Sequence, residues 1–197
     1  MKYHFVRGES KGYTVFLLLD ERGKTLANGV PFTNPRKAGE TLMRVVGSHI
    51  KSYESVSHLK PQKGCAKLVK LLVAIFLGEI EPSTELIIQK FPIDTHPWLS
   101  KKEAQIIKCL LKIPRGRVIS YKSISRALGL NPRVIGRVMA KNPYPIAYPC
   151  HRVVYANGNL GGYLGSKSFI NLKKEILIRE GVIVQNYRVR KEFFTSF

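Results

Sequence analysis

The chain has 197 residues, enough for one large domain or two small ones and for a real core in either case. Hydrophobic residues make up 44% and charged residues 23%, which excludes extensive disorder. Lysine and arginine outnumber aspartate and glutamate 33 to 13, a formal net charge of +20. Such an excess points to a polyanion, DNA or RNA, because each basic group near a phosphate releases condensed counterions, although a solvated basic surface gives the same count.

The most apolar run, Leu68 to Ile80, is interrupted by Lys70 and is too short to span a bilayer, so no membrane association is expected. Charges run through the opening stretch "MKYHFVRGESKGYTVFLLLDERG", where a signal peptide would be apolar, and the expected location is intracellular and cytoplasmic. Cys65, Cys109 and Cys150 make an odd number for a reducing compartment, which argues against a disulfide framework. With no CxxC and no paired histidine spacing, no metal is expected either.

Taken in chain order, "YHFVRG", "YTVFLLLD" and "KTLANGV" read as short strands divided by glycine turns, followed by an amphipathic stretch from Arg36 to His49. These predict a small antiparallel sheet with helices. The apolar run over 65–78 reads as a helix buried on one face, and "ELIIQKFPID" as a strand leading out of this half. "FPIDTHPW", with Pro92 and Pro97, is the expected linker between a domain at 1–91 and another at 98–197.

Beyond the linker the texture is helical. Ser100 is placed to cap "KKEAQIIKCLLKI", in which Ile106, Ile107, Leu110, Leu111 and Ile113 recur at helical spacing, with Cys109 as a core residue and Pro114 as the stop. A short helix from about Lys122 to Leu128, a glycine turn, and a second helix opened by Asn131 and Pro132 then form the pattern of a helix-turn-helix. Arg133, Arg137 and Lys141 stud the second helix. An ordinary helical hairpin would look the same, and it is the net charge that favours nucleic acid.

"NPYPIAYPCHRVVYANG" places a thiol between a proline and a histidine. A buried, space-filling cysteine is one reading. The other is a nucleophile: a thiolate needs a nearby proton acceptor or positive charge, and His151 and Arg152 follow Cys150 at once. In a strand the two side chains would diverge to opposite faces, so the chain must turn there, as its prolines permit.

"PCHRVV", with "NPYPIAY" before it and "NGNLGGY" after it, resembles the active-site signature of the O6-alkylguanine-DNA alkyltransferases. The likeness runs from about Trp98 to Gly181 and takes in "IPRGRVISY", "NPRVIGRVMAKNP" and "LKKEILIREG". It implies an α+β fold: a small N-terminal ribonuclease H-like α/β domain, then a mainly helical domain with a helix-turn-helix. It implies a DNA repair protein, acting as a monomer without cofactor, that flips O6-alkylguanine out of duplex DNA and transfers the alkyl group irreversibly to Cys150. His151 is implied as the base acting through a water, Glu180 as its orienting carboxylate, Asn142 as a hinge, and Tyr121 as a phosphate-crowding hydrogen-bond donor to the purine. Arg133 is implied to enter the minor groove and replace the extruded base, with Arg137 and Gly136 also on the DNA. Val153, Val154, Tyr163, Met139 and Pro145 are implied to line the guanine pocket. Two departures stand out: the stretch between Tyr163 and Glu180 is about three residues longer than usual, and "RVRKEFFTSF" lies beyond the likeness, free to contact DNA or to pack on the body. A binding-only relative would lack the acceptor cysteine, and a plain helix-turn-helix regulator would carry an inert one.

Overall fold

The computed structural model describes residues 3–47, 56–58 and 63–197, with only the backbone at 56–58 and 63. Two compact units emerge: Met1–Pro92 together with Pro143–Ala147, and Ile93–Asn142 together with Tyr148–Phe197.

In the first unit β1 (Tyr3–Ser10) and β2 (Tyr13–Asp20) form an antiparallel hairpin, and β3 (Thr25–Asn28) pairs antiparallel with β2. A short β4 (Val56–His58) joins β1 in parallel, so the sheet runs β3-β2-β1-β4 and is mixed where a purely antiparallel one was expected. Strand β2 is apolar almost throughout because both its faces are covered. Phe16 approaches Gly39 of α1 (Pro35–Val46), whereas the ring of Tyr13, of opposite parity, meets Phe76 of α2 (Lys63–Leu77) at 5.5 Å. Asn34 caps α1 by accepting from Lys37 N, and Pro35 opens it. The last residues of the expected amphipathic stretch, 48–49, lie outside the described residues.

The strand expected at "ELIIQKFPID" is instead a helix, α3 (Thr84–Lys90). Local end chemistry outweighs the β-favouring isoleucines: Ser83 Oγ accepts from Leu86 N, Glu85 sits in the first turn and Lys90 in the last. Segment 143–147 packs with this unit. Asn28 N donates to Pro143 O at 3.0 Å, Asn28 Nδ2 to Pro145 O at 2.9 Å, and the Tyr144 hydroxyl to Thr25 O at 2.7 Å. Ile146 sits there at φ 76°, an uncommon conformation for a β-branched residue.

The second unit opens with α4 (Lys101–Lys108), where Ser100 and Glu103 form a reciprocal capping box. The expected helix tightens into a 3-10 turn at Cys109–Lys112 before Pro114. Cys109 is only half-buried there and donates its thiol to Ile106 O. A two-residue strand β5 (Ile119–Ser120) leads into α5 (Tyr121–Leu128), which ends on Gly129 in the left-handed region, φ 64°. The Ser125 hydroxyl donates to Leu130 O and fastens the turn, and α6 (Pro132–Ala140) starts with Asn131 Oδ1 accepting from Arg133 N. A 3-10 turn at Cys150–Arg152 feeds β6 (Val153–Val154), parallel to β5; α7 (Ile170–Arg179) follows, then the hairpin β7 (Val184–Gln185) and β8 (Arg188–Val189). The result is a mixed α+β chain. Among the described residues no helix is long and apolar enough to cross a membrane.

Candidate active site

Proline 149 sets the local backbone. At φ −77° and ψ 64° it centres an inverse γ-turn in which Cys150 N donates to Tyr148 O at 2.8 Å. The same carbonyl accepts from Asn142 Nδ2 at 2.8 Å, and that amide also donates to Cys150 Sγ at 3.2 Å. Asn142 comes just after Lys141, the C-cap of α6, and so ties the end of that helix to the thiol. From Cys150 the chain enters a 3-10 turn, whose three residues per turn splay successive side chains by about 120°. Cys150 faces one way and His151 another without a strand being involved.

Cys150 is 4% exposed and forms part of the lining of a cavity of about 430 Å³. Burial pushes its thiol up, against the Asn142 hydrogen bond and the nearby Lys173 charge, so the resting group is protonated. Tyr121, Arg133, Gly136, Met139 and Tyr163 share the lining, so α5, α6, the Cys150 turn and the loop before α7 converge on one space. Burial raises both Tyr121 and Tyr163, with the Cys150 charge acting the same way, and keeps both phenols as O–H donors. The Tyr163 hydroxyl is buried with no hydrogen-bond partner.

His151, 1% exposed, meets Glu180 with Nε2 2.9 Å from Oε1. Burial holds the imidazole below its usual range even though Glu180 resists, which favours neutral histidine with the proton on Nε2. Nδ1 is then the basic nitrogen, and it too is buried without a hydrogen-bond partner. Glu180 is clamped from the other side: Arg152 Nε donates to Oε2 at 2.9 Å and Nη2 to Oε1 at 2.8 Å, while Arg152 Nη1 donates to Ile113 O at 2.6 Å. Burial alone would raise the carboxyl, but His151 and Arg152 hold it well below the usual carboxylate range.

Other residues singled out in the sequence lie elsewhere. Val153 and Val154, expected in the pocket, are fully buried in β6, and Pro145 belongs to the segment packed with the first unit; none of the three lines the cavity. Arg137 is exposed one turn beyond Arg133 on α6. Lys141, on the same face, is engaged by Glu103 at 2.6 Å.

Two functional candidates escaped the sequence reading. Arg152 was noted only as a nearby charge. Lys173 falls on the buried stripe of α7 beside Leu172, Ile176 and Leu177, and a charged residue at such a position was the available signal. Its ammonium donates to Val153 O and Leu160 O, each at 2.6 Å, and burial lowers it to about 7 although the Cys150 charge opposes this.

Residues 101–182 match the family described as 6-O-methylguanine DNA methyltransferase, DNA binding domain. A methylated-DNA–protein-cysteine methyltransferase of Pyrobaculum aerophilum is 47% identical over 74 residues, 38% of this chain and about half, 48%, of that protein. The protein of the same name from Methanothermobacter thermautotrophicus is 30% identical over 136 residues, 69% of this chain and 71% of that one. The crystal structure of an O6-methylguanine-DNA methyltransferase from Pyrococcus kodakaraensis superposes with a TM-score of 0.62 at 24% identity, covering 91% of this chain and 99% of that chain, and shares its fold. By its sequence likeness to these relatives, the chain belongs to the methylated-DNA–protein-cysteine methyltransferase family.

Proposed function

We propose that this protein repairs DNA by moving an alkyl group from guanine O6 to the sulfur of Cys150, once per molecule. The observation that carries the reading is Cys150 itself: a buried thiol lining a cavity, hydrogen-bonded by Asn142 and followed by a histidine locked to a carboxylate.

The alkyl carbon lies inside the stacked duplex, so the nucleotide must rotate out, at a cost of a few kcal/mol. Nineteen Lys and Arg against five Asp and Glu fall in the second unit, which concentrates positive charge around the cavity for phosphate contact. The α5–α6 pair acts as a helix-turn-helix laid on the minor groove of double-stranded DNA. Exposed Arg133, on the cavity rim at the start of α6, fills the space the base leaves, with Arg137 and Gly136 alongside. The first unit is a ribonuclease H-like domain, and the protein acts as a monomer within the cell.

His151 Nδ1 takes the thiol proton through a water, and the imidazolium is held by Glu180, itself kept ionised by Arg152. Sulfur attacks the alkyl carbon; the S–C bond forms as the C–O6 bond breaks. Guanine leaves neutral by taking a proton, with Tyr121 the donor and the unpartnered Tyr163 hydroxyl in the lining of the same cavity. The proton first given up by the thiol thus replaces the one the base receives. A thioether has no good leaving group, so no turnover follows.

Incubation with a duplex bearing O6-methylguanine, followed by intact-mass measurement, tests this. Addition of one methyl mass at Cys150 is expected. An unmodified protein with the methyl still on DNA would sink the reading, and a Cys150→Ala protein must remain unmodified.

A further inference from the structure

The basic, aromatic stretch at the end of the sequence does not hang free. Val118 N donates to Phe193 O at 2.9 Å and Thr195 N to Val118 O at 2.8 Å, the two bonds of a parallel bridge between Val118 and Phe194. Arg117 Nη1 donates to Glu192 O at 2.7 Å, one residue further along. The rings of Phe193 and Phe194 pack on the cluster formed by Val118, Val154, Leu160, Leu177, Val182 and Val189. The tail residues Glu192–Thr195 lie beyond residue 182, where the family match ends.

Position gives these bonds their meaning. Val118 continues directly into β5, which pairs only two residues with β6. From the end of β5 projects Tyr121, and into the start of β6 runs the Cys150–Arg152 turn. A ladder of two residues in two strands is too short to hold its own geometry. The bridge at Phe194 satisfies both main-chain groups of Val118, and the two phenylalanines press on the cluster that contains Val154.

We propose that residues 192–195 are a positioning element of the transfer site: leaving the 3-10 turn at Lys191–Phe193, they bridge Val118 just before β5 and so fix Tyr121 relative to Cys150. The inference rests on the alkyl-transfer reading above. Since displacement of a reacting group by about 1 Å can cost up to a hundredfold in rate, losing this bridge should slow chemistry without loosening the DNA grip, whose exposed residues lie on α6.

Thr195→Pro removes the N–H that Val118 O accepts and keeps both phenylalanines. Ser196→Pro, one residue on, is the control. Single-turnover methyl transfer on an O6-methylguanine duplex is measured well below the melting temperature of each protein, beside the dissociation constant for the same duplex. For Thr195→Pro the rate constant should fall about tenfold while the dissociation constant stays within about twofold; Ser196→Pro should match wild type in both. A Thr195→Pro rate equal to that of wild type overturns the proposal, as does an equal loss in rate and affinity. Should Thr195→Pro not fold, Phe194→Ala faces the same two outcomes. Failure of wild type itself to accept methyl would instead refute the underlying reading, so the two failures are distinct.

Discussion

Arg152 grips Glu180 in a fork, Nε on Oε2 and Nη2 on Oε1, while His151 shares the second oxygen. The carboxylate is 5% exposed at its side chain, so its charge depends on these two partners and on the more distant Arg115, whose Nη1 lies 3.9 Å from Oε1. Replacing Arg152 by alanine leaves that charge buried with one partner fewer. The expected loss is about 3 kcal/mol in urea unfolding, with lysine restoring little of it because an ammonium cannot make the fork.

Acid sensitivity follows from the same carboxyl. Its folded pKa lies below its unfolded value of 4.5, so the stability it contributes is fully present above about pH 4.5 and fades as pH falls toward the folded value. Glu180→Gln should be less stable than wild type at neutral pH, with the gap narrowing below pH 4.5. Unfolding curves at stepped pH would show a constant gap if the ion pairs contribute nothing.

Lys173 titrates in the opposite arrangement. The unfolded chain keeps its proton to about 10.5 while the folded one releases it near 7, so the unfolded state binds more protons between those values and stability rises with pH across that window. Lys173→Met should remove that rise. It should also slow alkylation of Cys150 by a small electrophile, because a cation that favours the thiolate is gone.

Asn28 is buried and donates to Gly29 O and Pro145 O, both at 2.9 Å. Alanine there strands two acceptors, at an expected cost of about 1–3 kcal/mol. Chemical denaturation of the Asn28→Ala protein would measure it; an unchanged midpoint would mean that the two carbonyls find other donors.

Arg133→Ala should slow methyl transfer on duplex substrate by about tenfold or more and on a single strand much less, since only the duplex has a stack to refill. Equal losses on the two substrates would show that Arg133 serves general affinity.

What the sequence made legible was local chemistry. The Ser100 cap, the Asn131–Pro132 start of α6 and the Gly129 stop are each written within four residues of where they act, and the thiol was marked by its proline, histidine and arginine neighbours. Pairings across distance were not. The parallel join of β4 to β1, the reach of Lys173 to Val153 O and the bridge from Val118 to Phe194 depend on which segments meet, and no periodicity records that. At "ELIIQKFPID" two local signals conflicted, and the end caps outweighed the isoleucines. Val153 and Val154 kept their places beside the thiol but turned their side chains into the core.

On the proposed reading the protein works once, and a side reaction at its sulfur would end that single use. Because Cys150 is only 4% exposed and protonated at rest, a stray alkylating agent in bulk water meets little sulfur surface and no ready anion. Burial and protonation together would then hold this sulfur back for a base brought into the cavity.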